Sequence, residues 1–251
     1  MSQKLQNAKN LYLEGIRDGH YEEAVTAYTG ARYTQHSTGV RDGKEGFIEF
    51  FSQFVANNPE RHIDIVRGWE DGQYVFLQAY QNIGGTKWVT TDFFDTDEND
   101  KIIEHWDVIA PFTEPNPSGR TKVDGETEIV DEHLTEQNKA IVRAMIEDCL
   151  MGDAANIRDY FGDVYLQHNP DVGDGIEHFE QLAQDPNAPL KYDEIVLCVG
   201  KGNFVATLSK ATFDGTAYCQ ADIFRLADGK IVEHWDNVEI VPENDVNSGK
   251  F

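Results

Sequence analysis

The sequence predicts an α+β protein built as two halves of like architecture, each with about three helices followed by an antiparallel meander of strands. Three observations carry this expectation. Two seven-residue words, Lys101-Ile-Ile-Glu-His-Trp-Asp107 and Lys230-Ile-Val-Glu-His-Trp-Asp236, differ only as Ile103 against Val232. An earlier segment repeats without gaps: Tyr33, Gln35, His36, Val40, Asp42, Gly43, Glu45 and Phe47 return 132 positions on, His36 for instance as His168. The offset then falls to 130 at Asp92 and Asp222, and to 129 at His105 and His234, as short loop deletions produce. Finally, in each half apolar residues at helical spacing come first and strand-like runs follow.

Taken in order, residues 3–17 and 131–150 place apolar side chains on one helical face, as with Leu134, Ile141, Met145 and Cys149. A short second helix follows Gly19 in one half and Gly152 in the other. Asp42-Gly43 and Asp174-Gly175 introduce a third, which carries Phe47, Phe50 and Phe51, or Phe179 and Leu182. Strand runs close each half; in the first they lie near 62–69, 74–82, 87–96 and 101–110. The stretch from Pro111 to Asp131 holds Pro111, Pro115, Pro117, Gly119 and Gly125 and reads as a partly stiff linker. The expected boundaries are therefore 1–112, 113–130 and 131–251. In the second half a segment with Pro186 and Pro189 replaces part of the aromatic helix, so the covering of its pocket should differ.

The chain has 251 residues, 40% hydrophobic and 11% aromatic, enough for packed cores. Lys+Arg 21 against Asp+Glu 45 gives a net charge of −24, which excludes a nucleic-acid backbone or an anionic membrane as partner. No apolar run is long enough to span a membrane, and the first sixteen residues are polar and helix-like, unlike a secretory leader. Cys149, Cys198 and Cys219 form no Cys-x-x-Cys pair, so reduced thiols in a cytoplasmic protein are expected.

Strand alternation puts His105 with Asp107 on one face and Glu104 with Trp106 on the other. In the second half, two registers are open for the hairpin at Asp228-Gly229. A two-residue loop sets Asp222 opposite Trp235. A three-residue loop with Gly229 left-handed sets it opposite His234 and is preferred, because it gathers Gln220, Asp222, His234 and Asp236 on one face. A four-residue loop, 97–100, would likewise set Asp92 opposite His105. Two carboxylates and an imidazole are costly to bury without partners or a purpose. They form either a network pinning the sheet to the helices or a reactive site. His36 and His168 are further candidates. Tyr33 and Tyr165, as core aromatics or pocket lining, and Gln220 with its counterpart Thr90 complete the ligand-facing set. A trio such as His36, His105 and Asp107 would suit divalent iron or zinc, but the spacing is no recognised ligand pattern, so neither metal nor cofactor is expected.

Tyr-x-Gln-His, the run from Asp42 to Phe51, Asp222-Ile-Phe-Arg and the stretch from Asp228 to Asp236 together resemble the SnoaL-like polyketide cyclase family, once per half. The resemblance implies the nuclear-transport-factor-two-like fold, a curved sheet wrapped by helices into a cone with a deep pocket. It also implies a homodimer-like pairing of the two halves within one chain, with Glu104, Trp106, Glu233 and Trp235 on the shared face, and a possible further homodimer. In the cyclases the Asp of His-x-Asp is a general base, a role that falls on Asp107 and Asp236. This chain departs where it has Asp92 and Asp222 in place of a His, and Thr90 in place of a Gln. The expected function is proton abstraction next to a carbonyl of a small apolar substrate, with an isomerase, lyase or cyclase outcome. In that scheme an apolar pocket raises the pKa of Asp107 or Asp236, His105 or His234 orients the base, and His36 or His168 donates to the enolate oxygen. The alternative is a non-catalytic module that holds a small hydrophobic ligand.

Overall fold

The computed structural model describes residues 2–185 and 190–251, so Pro186 and Pro189 lie outside the described residues. The chain divides into two compact units, Met1–Pro111 with Val241–Phe251, and Phe112–Ile240. The expected boundaries gave residues 113–130 to a linker and the C-terminal residues to the second half. Packing instead gives 112–130 to the second unit and 241–251 to the first. Two asparagines hold these segments in place. Asn116 donates its amide to the carbonyls of Gln167 (2.6 Å) and Val172 (2.8 Å), and Asn247 donates to those of Ser37 (2.7 Å) and Val40 (3.0 Å).

In the first unit, helix α1 (Gln3–Asn10) is capped by Ser2, whose hydroxyl accepts from the Leu5 amide. It continues as a π-helical stretch, Leu11–Arg17, that buries Leu11, Tyr12 and Ile16. Helix α2 (Tyr21–Tyr28) runs into strand β1 (Thr29–Gln35), and α3 (Gly43–Asn57) precedes β2 (Arg61–Asp71), β3 (Tyr74–Ile83), β4 (Thr86–Thr96) and β5 (Ile102–Pro111). The sheet order is β1-β5-β4-β3-β2. The second unit repeats it as β6-β10-β9-β8-β7. Its elements are α4 (Thr135–Met145), a π-helical stretch Ile146–Leu150, β6 (Phe161–Gln167), α5 (Glu177–Gln184), β7 (Leu190–Lys201), β8 (Phe204–Phe213), β9 (Thr216–Ala227) and β10 (Lys230–Ile240). Among the described residues no helix is long and apolar enough to cross a membrane.

Each unit is α+β as expected, but each sheet is mixed rather than wholly antiparallel. The segment before His36 is a strand lying parallel to β5, and its counterpart β6 lies parallel to β10. Asp42 and Asp174 secure these strands: each carboxylate accepts the backbone N–H of the last strand residue, Gln35 (2.8 Å) or Gln167 (3.0 Å). The glycines beside them, Gly43 at φ +84° and Gly175 at φ +98°, take the left-handed turn that leads towards the next helix.

The hairpin registers differ from both sequence alternatives. Asp228 (φ +50°) and Gly229 (φ +73°) form a two-residue loop, so Ala227 pairs with Lys230. A bulge then inserts Val232 between Ile231 and Glu233, which shifts the ladder so that Asp222 faces Asp236 and Phe224 faces His234. The first unit has the same irregularity at Ile103, and there Asp92 faces Asp107. Because the shift relative to the preferred register is two residues, the four polar residues of each half still share a face.

Candidate functional site

Helices cover the inner face of each sheet, and the polar cluster lies beneath them among apolar side chains such as Leu11, Tyr12, Phe47 and Phe94 in the first unit. Here Gln35, at the end of β1, pairs with His105 and accepts from its Nδ1 (2.8 Å), while the Gln35 amide donates to the Tyr33 hydroxyl (3.2 Å). His105 Nε2 lies 3.0 Å from Asp92 Oδ1. Asp92, fully buried, also accepts from the Tyr12 hydroxyl (2.5 Å) and from the Thr90 hydroxyl (2.8 Å). Burial pushes the Asp92 carboxyl up, with the bond from His105 partly offsetting it. Asp107 behaves oppositely. Burial raises it, but the Lys250 ammonium 3.1 Å away, then His105 and Ser37, bring it below the usual carboxylate range. The expectation of a raised pKa at Asp107 is therefore reversed, because the C-terminal segment delivers a buried cation to it.

The second unit rebuilds the relay with two donors to its aspartate exchanged. His234 Nδ1 donates to Gln167 (3.0 Å), Gln167 donates to Tyr165 (3.1 Å), and His234 Nε2 lies 3.0 Å from Asp222 Oδ1. The phenol on Asp222 is Tyr192 of β7 (3.2 and 3.1 Å), not a residue of the first helix, and Gln220 donates from its amide (2.9 Å). Burial drives the hydroxyls of Tyr12 and Tyr192 well up, so both serve as donors. Asp236 is half-buried, and among the described residues its carboxylate has one side-chain hydrogen bond, from Asn169 (2.7 Å). Lys122, which stands where Lys250 does in the first unit, turns to the Asn237 side chain (3.1 Å) and the Asp236 carbonyl (3.4 Å). Burial lowers its pKa, with Asp236 opposing.

His36 and His168 do not join these clusters. Gln35 and Gln167 occupy the inner face, so the next residue projects to the other side. His36 stacks on Trp106 (centroids 5.0 Å apart), with its ring nitrogens on the Gly249 carbonyl (2.5 Å) and Glu104 (2.9 Å). His168 stacks on Trp235 (4.5 Å) and bonds the Thr121 carbonyl (2.7 Å) and Glu233 (2.9 Å). Burial raises the Glu233 carboxyl, but His168 and Arg225 hold it below its ordinary value. Neither histidine can reach an enolate on the inner face, and the trio His36, His105 and Asp107 is not assembled. Among the described residues Asp92, His105 and Asp107 do bring one ligand atom each within 4.8 Å of one another, a set able to hold a metal ion, although Lys250 already supplies a positive charge there.

A cavity of about 360 Å³ in the first unit is lined by Phe54, Gln81, Ile83, Trp88, Thr90 and Ile109, and reaches the network through Thr90. A larger one in the second unit, about 950 Å³, is walled by Cys149, Met151, Phe179, Leu190 and Tyr192, whose hydroxyl touches Asp222. Tyr12, Tyr192, Lys122, Lys250 and Asn169 were absent from the expected site set. Only Gln35 and Gln167 left a signal, as members of the repeated Tyr-x-Gln-His word.

Residues 11–105 match the family described as SnoaL-like domain. The chain carries a SnoaL-like domain. That match covers most of the first unit, and the second unit has the corresponding strand order. No curated protein matches the chain. Solved structures similar to it include a Kribbella flavida protein assigned as a ketosteroid isomerase, 16% identical, covering 44% of this chain and 84% of its own with a TM-score of 0.39. IdmH from Streptomyces antibioticus, to which a polyketide cyclase role is ascribed, is 16% identical over 43% of this chain and 92% of its own, with a TM-score of 0.38. An M. tuberculosis LEH-like epoxide hydrolase is 17% identical over 42% of this chain and 84% of its own, with a TM-score of 0.36.

Proposed function

We propose that the chain is an acid–base enzyme whose working site is the inner face of the second unit. In this reading Asp236 removes a proton from a carbon next to a carbonyl of a small molecule, and His234 carries or stabilises the charge, with an isomerase, lyase or cyclase outcome. The observation that carries it is the contrast at Asp236: a half-buried carboxylate with one amide donor, beside a buried His–Asp pair. A base needs a lone pair that substrate can reach, and a charge partner that does not consume it. Asp222 is fully buried and engaged by Tyr192, Gln220 and His234, so its part is to fix the imidazole.

For the first unit the alternative reading, ligand holding without chemistry, has support of its own. Asp92 is saturated by Tyr12, Thr90 and His105, and Asp107 is paired with Lys250. Its cavity is lined mainly by aromatic and aliphatic side chains, which suits an apolar ligand.

A direct test follows deuterium uptake at the benzylic α-carbon of 2-tetralone in heavy water by proton NMR. The chain should accelerate exchange above the buffer rate, and Asp236→Asn should reduce that acceleration by about 10²–10⁴-fold, the usual worth of a general base. An Asp236→Asn rate equal to wild type would reject Asp236 as the base.

A further inference from the structure

Among the described residues, three side-chain oxygens on the inner face of the second unit are buried without a hydrogen-bond partner: Thr207 Oγ1, Ser209 Oγ and Gln220 Oε1. Thr207 and Ser209 are fully buried and Gln220 nearly so. They form one patch, because Thr207 lies opposite Asp222 and Ser209 opposite Gln220 in the β8–β9 ladder. Gln220 is held in place through its amide on Asp222, which leaves its carbonyl oxygen unused. Among the described residues the first unit has no such patch. In its ladder Leu77 stands opposite Asp92 and Ala79 opposite Thr90, and Thr90 spends its hydroxyl on Asp92.

Buried polar groups in folded proteins are nearly always bonded, to protein, water or ligand, since leaving one unpaired costs the desolvation of that group. Three together, on the face that also carries Asp222, His234 and Asp236, form a polar patch with bonding capacity left for a group from outside the chain. We infer that the second unit binds a substrate bearing a hydroxyl group remote from its reacting carbon, with Thr207, Ser209 and Gln220 as the subsite for that hydroxyl. This rests on the reading of the same face as an acid–base site and narrows its substrate class from apolar to hydroxylated carbonyl compounds. Strand geometry sets the distance. Asp236, Asp222 and Thr207 sit at matching positions on the adjacent strands β10, β9 and β8, about 4.8 Å apart at each step, so roughly 10 Å separates Asp236 from Thr207. After allowing about 2.8 Å for a contact at each end, the reacting carbon and the hydroxyl oxygen would be about 4–5 Å apart, a little more where the side chains splay. The chemistry of the patch favours a hydroxyl over an anion: two hydroxyls can donate or accept and the amide oxygen accepts, with no cation among them.

The probe pair is 6-hydroxy-2-tetralone and 2-tetralone, which differ in one hydroxyl across the ring from the acidic carbon. Calorimetric titration of the whole chain should give at least tenfold tighter binding of the hydroxylated ketone. The double variant Thr207→Val, Ser209→Ala, which removes both hydroxyls at nearly constant volume, should bring the two affinities within about twofold. Equal affinities for wild type, as a patch satisfied by water alone would give, would overturn the inference, and so would a preference that survives in the double variant. Deuterium exchange separates this result from the reading beneath it. A tenfold preference without catalysed exchange keeps the subsite and rejects the base, whereas exchange of both ketones with no preference keeps the base and rejects the subsite.

Discussion

In the first unit Asp107 is buried against Lys250, while at the corresponding place in the second Asp236 is half-buried and bonded to Asn169. Both units keep the same Gln–His–Asp relay, so the difference does not come from the histidine or its orienting partners. It comes from residues outside the repeated words. Ser37 in one unit is Asn169 in the other, and the lysine that follows each unit's tail segment points to a carboxylate in one and to a neutral amide in the other. A duplicated sequence word therefore need not mean a duplicated role. What surrounds the carboxylate decides whether it is latched by a cation or left with a neutral donor.

The largest effect should come from removing the latch. Lys250→Met leaves the buried Asp107 carboxylate with only His105 and Ser37 to offset its burial, and should cost about 3–5 kcal/mol of first-unit stability. Lys122→Met, which removes an ammonium bonded to the Asn237 side chain and the Asp236 carbonyl rather than to a fully buried carboxylate, should cost about 1–2 kcal/mol. Urea unfolding followed by a probe in each unit measures both, and equal losses would break the contrast.

Acid sensitivity tests the same pair through its sign. The folded pKa of Asp107 lies below its unfolded value of about 3.9. Its stabilisation is thus fully present above that value and is lost as pH falls through the lower folded one. Asp92, raised by burial, contributes in the opposite sense, being more stabilising when protonated. Lys250→Met should therefore remove the loss of first-unit stability on acidification below about pH 4, as measured by unfolding across pH. An unchanged acid profile would contradict the assignment.

Smaller effects sharpen the comparison of phenols. Tyr12→Phe removes a short donor to a buried carboxylate and should cost about 1.5–3 kcal/mol. Tyr192→Phe removes two longer contacts and should cost about 1 kcal/mol. At the small end, Thr207→Val should be neutral or stabilising by up to about 1 kcal/mol in the absence of ligand, because it deletes an unpartnered buried hydroxyl. A loss above 2 kcal/mol would show that the hydroxyl serves the fold.

Much of this architecture was legible in the chain. Periodicity gave the helices and the meander, and strand alternation grouped His105 with Asp107 and Asp92 because face assignment survives a two-residue slip. The slip itself was hidden, since the bulges at Ile103 and Val232 carry no glycine or proline to announce them. Strand β1 was missed because Ala31 and Arg32 are exposed in its middle and break the alternation of a seven-residue run. That omission put His36 and His168 on the wrong side of the sheet. Lys250 and Lys122 were beyond local pattern altogether: each reaches its cluster from more than a hundred positions away, held by an asparagine that looks like any other turn residue. Tyr12 and Tyr192 were masked for another reason, as each also fits an ordinary core position on its element.

The central claim, that one duplicated carboxylate is latched and the other is available, is tested most directly by comparing Asp107→Asn and Asp236→Asn in one assay. Both variants would be confirmed folded by circular dichroism, and exchange of 2-tetralone measured at neutral pH. The account predicts a loss of at least about 100-fold for Asp236→Asn and a rate within about twofold of wild type for Asp107→Asn. A larger loss for Asp107→Asn than for Asp236→Asn, or equal losses in both, would contradict it.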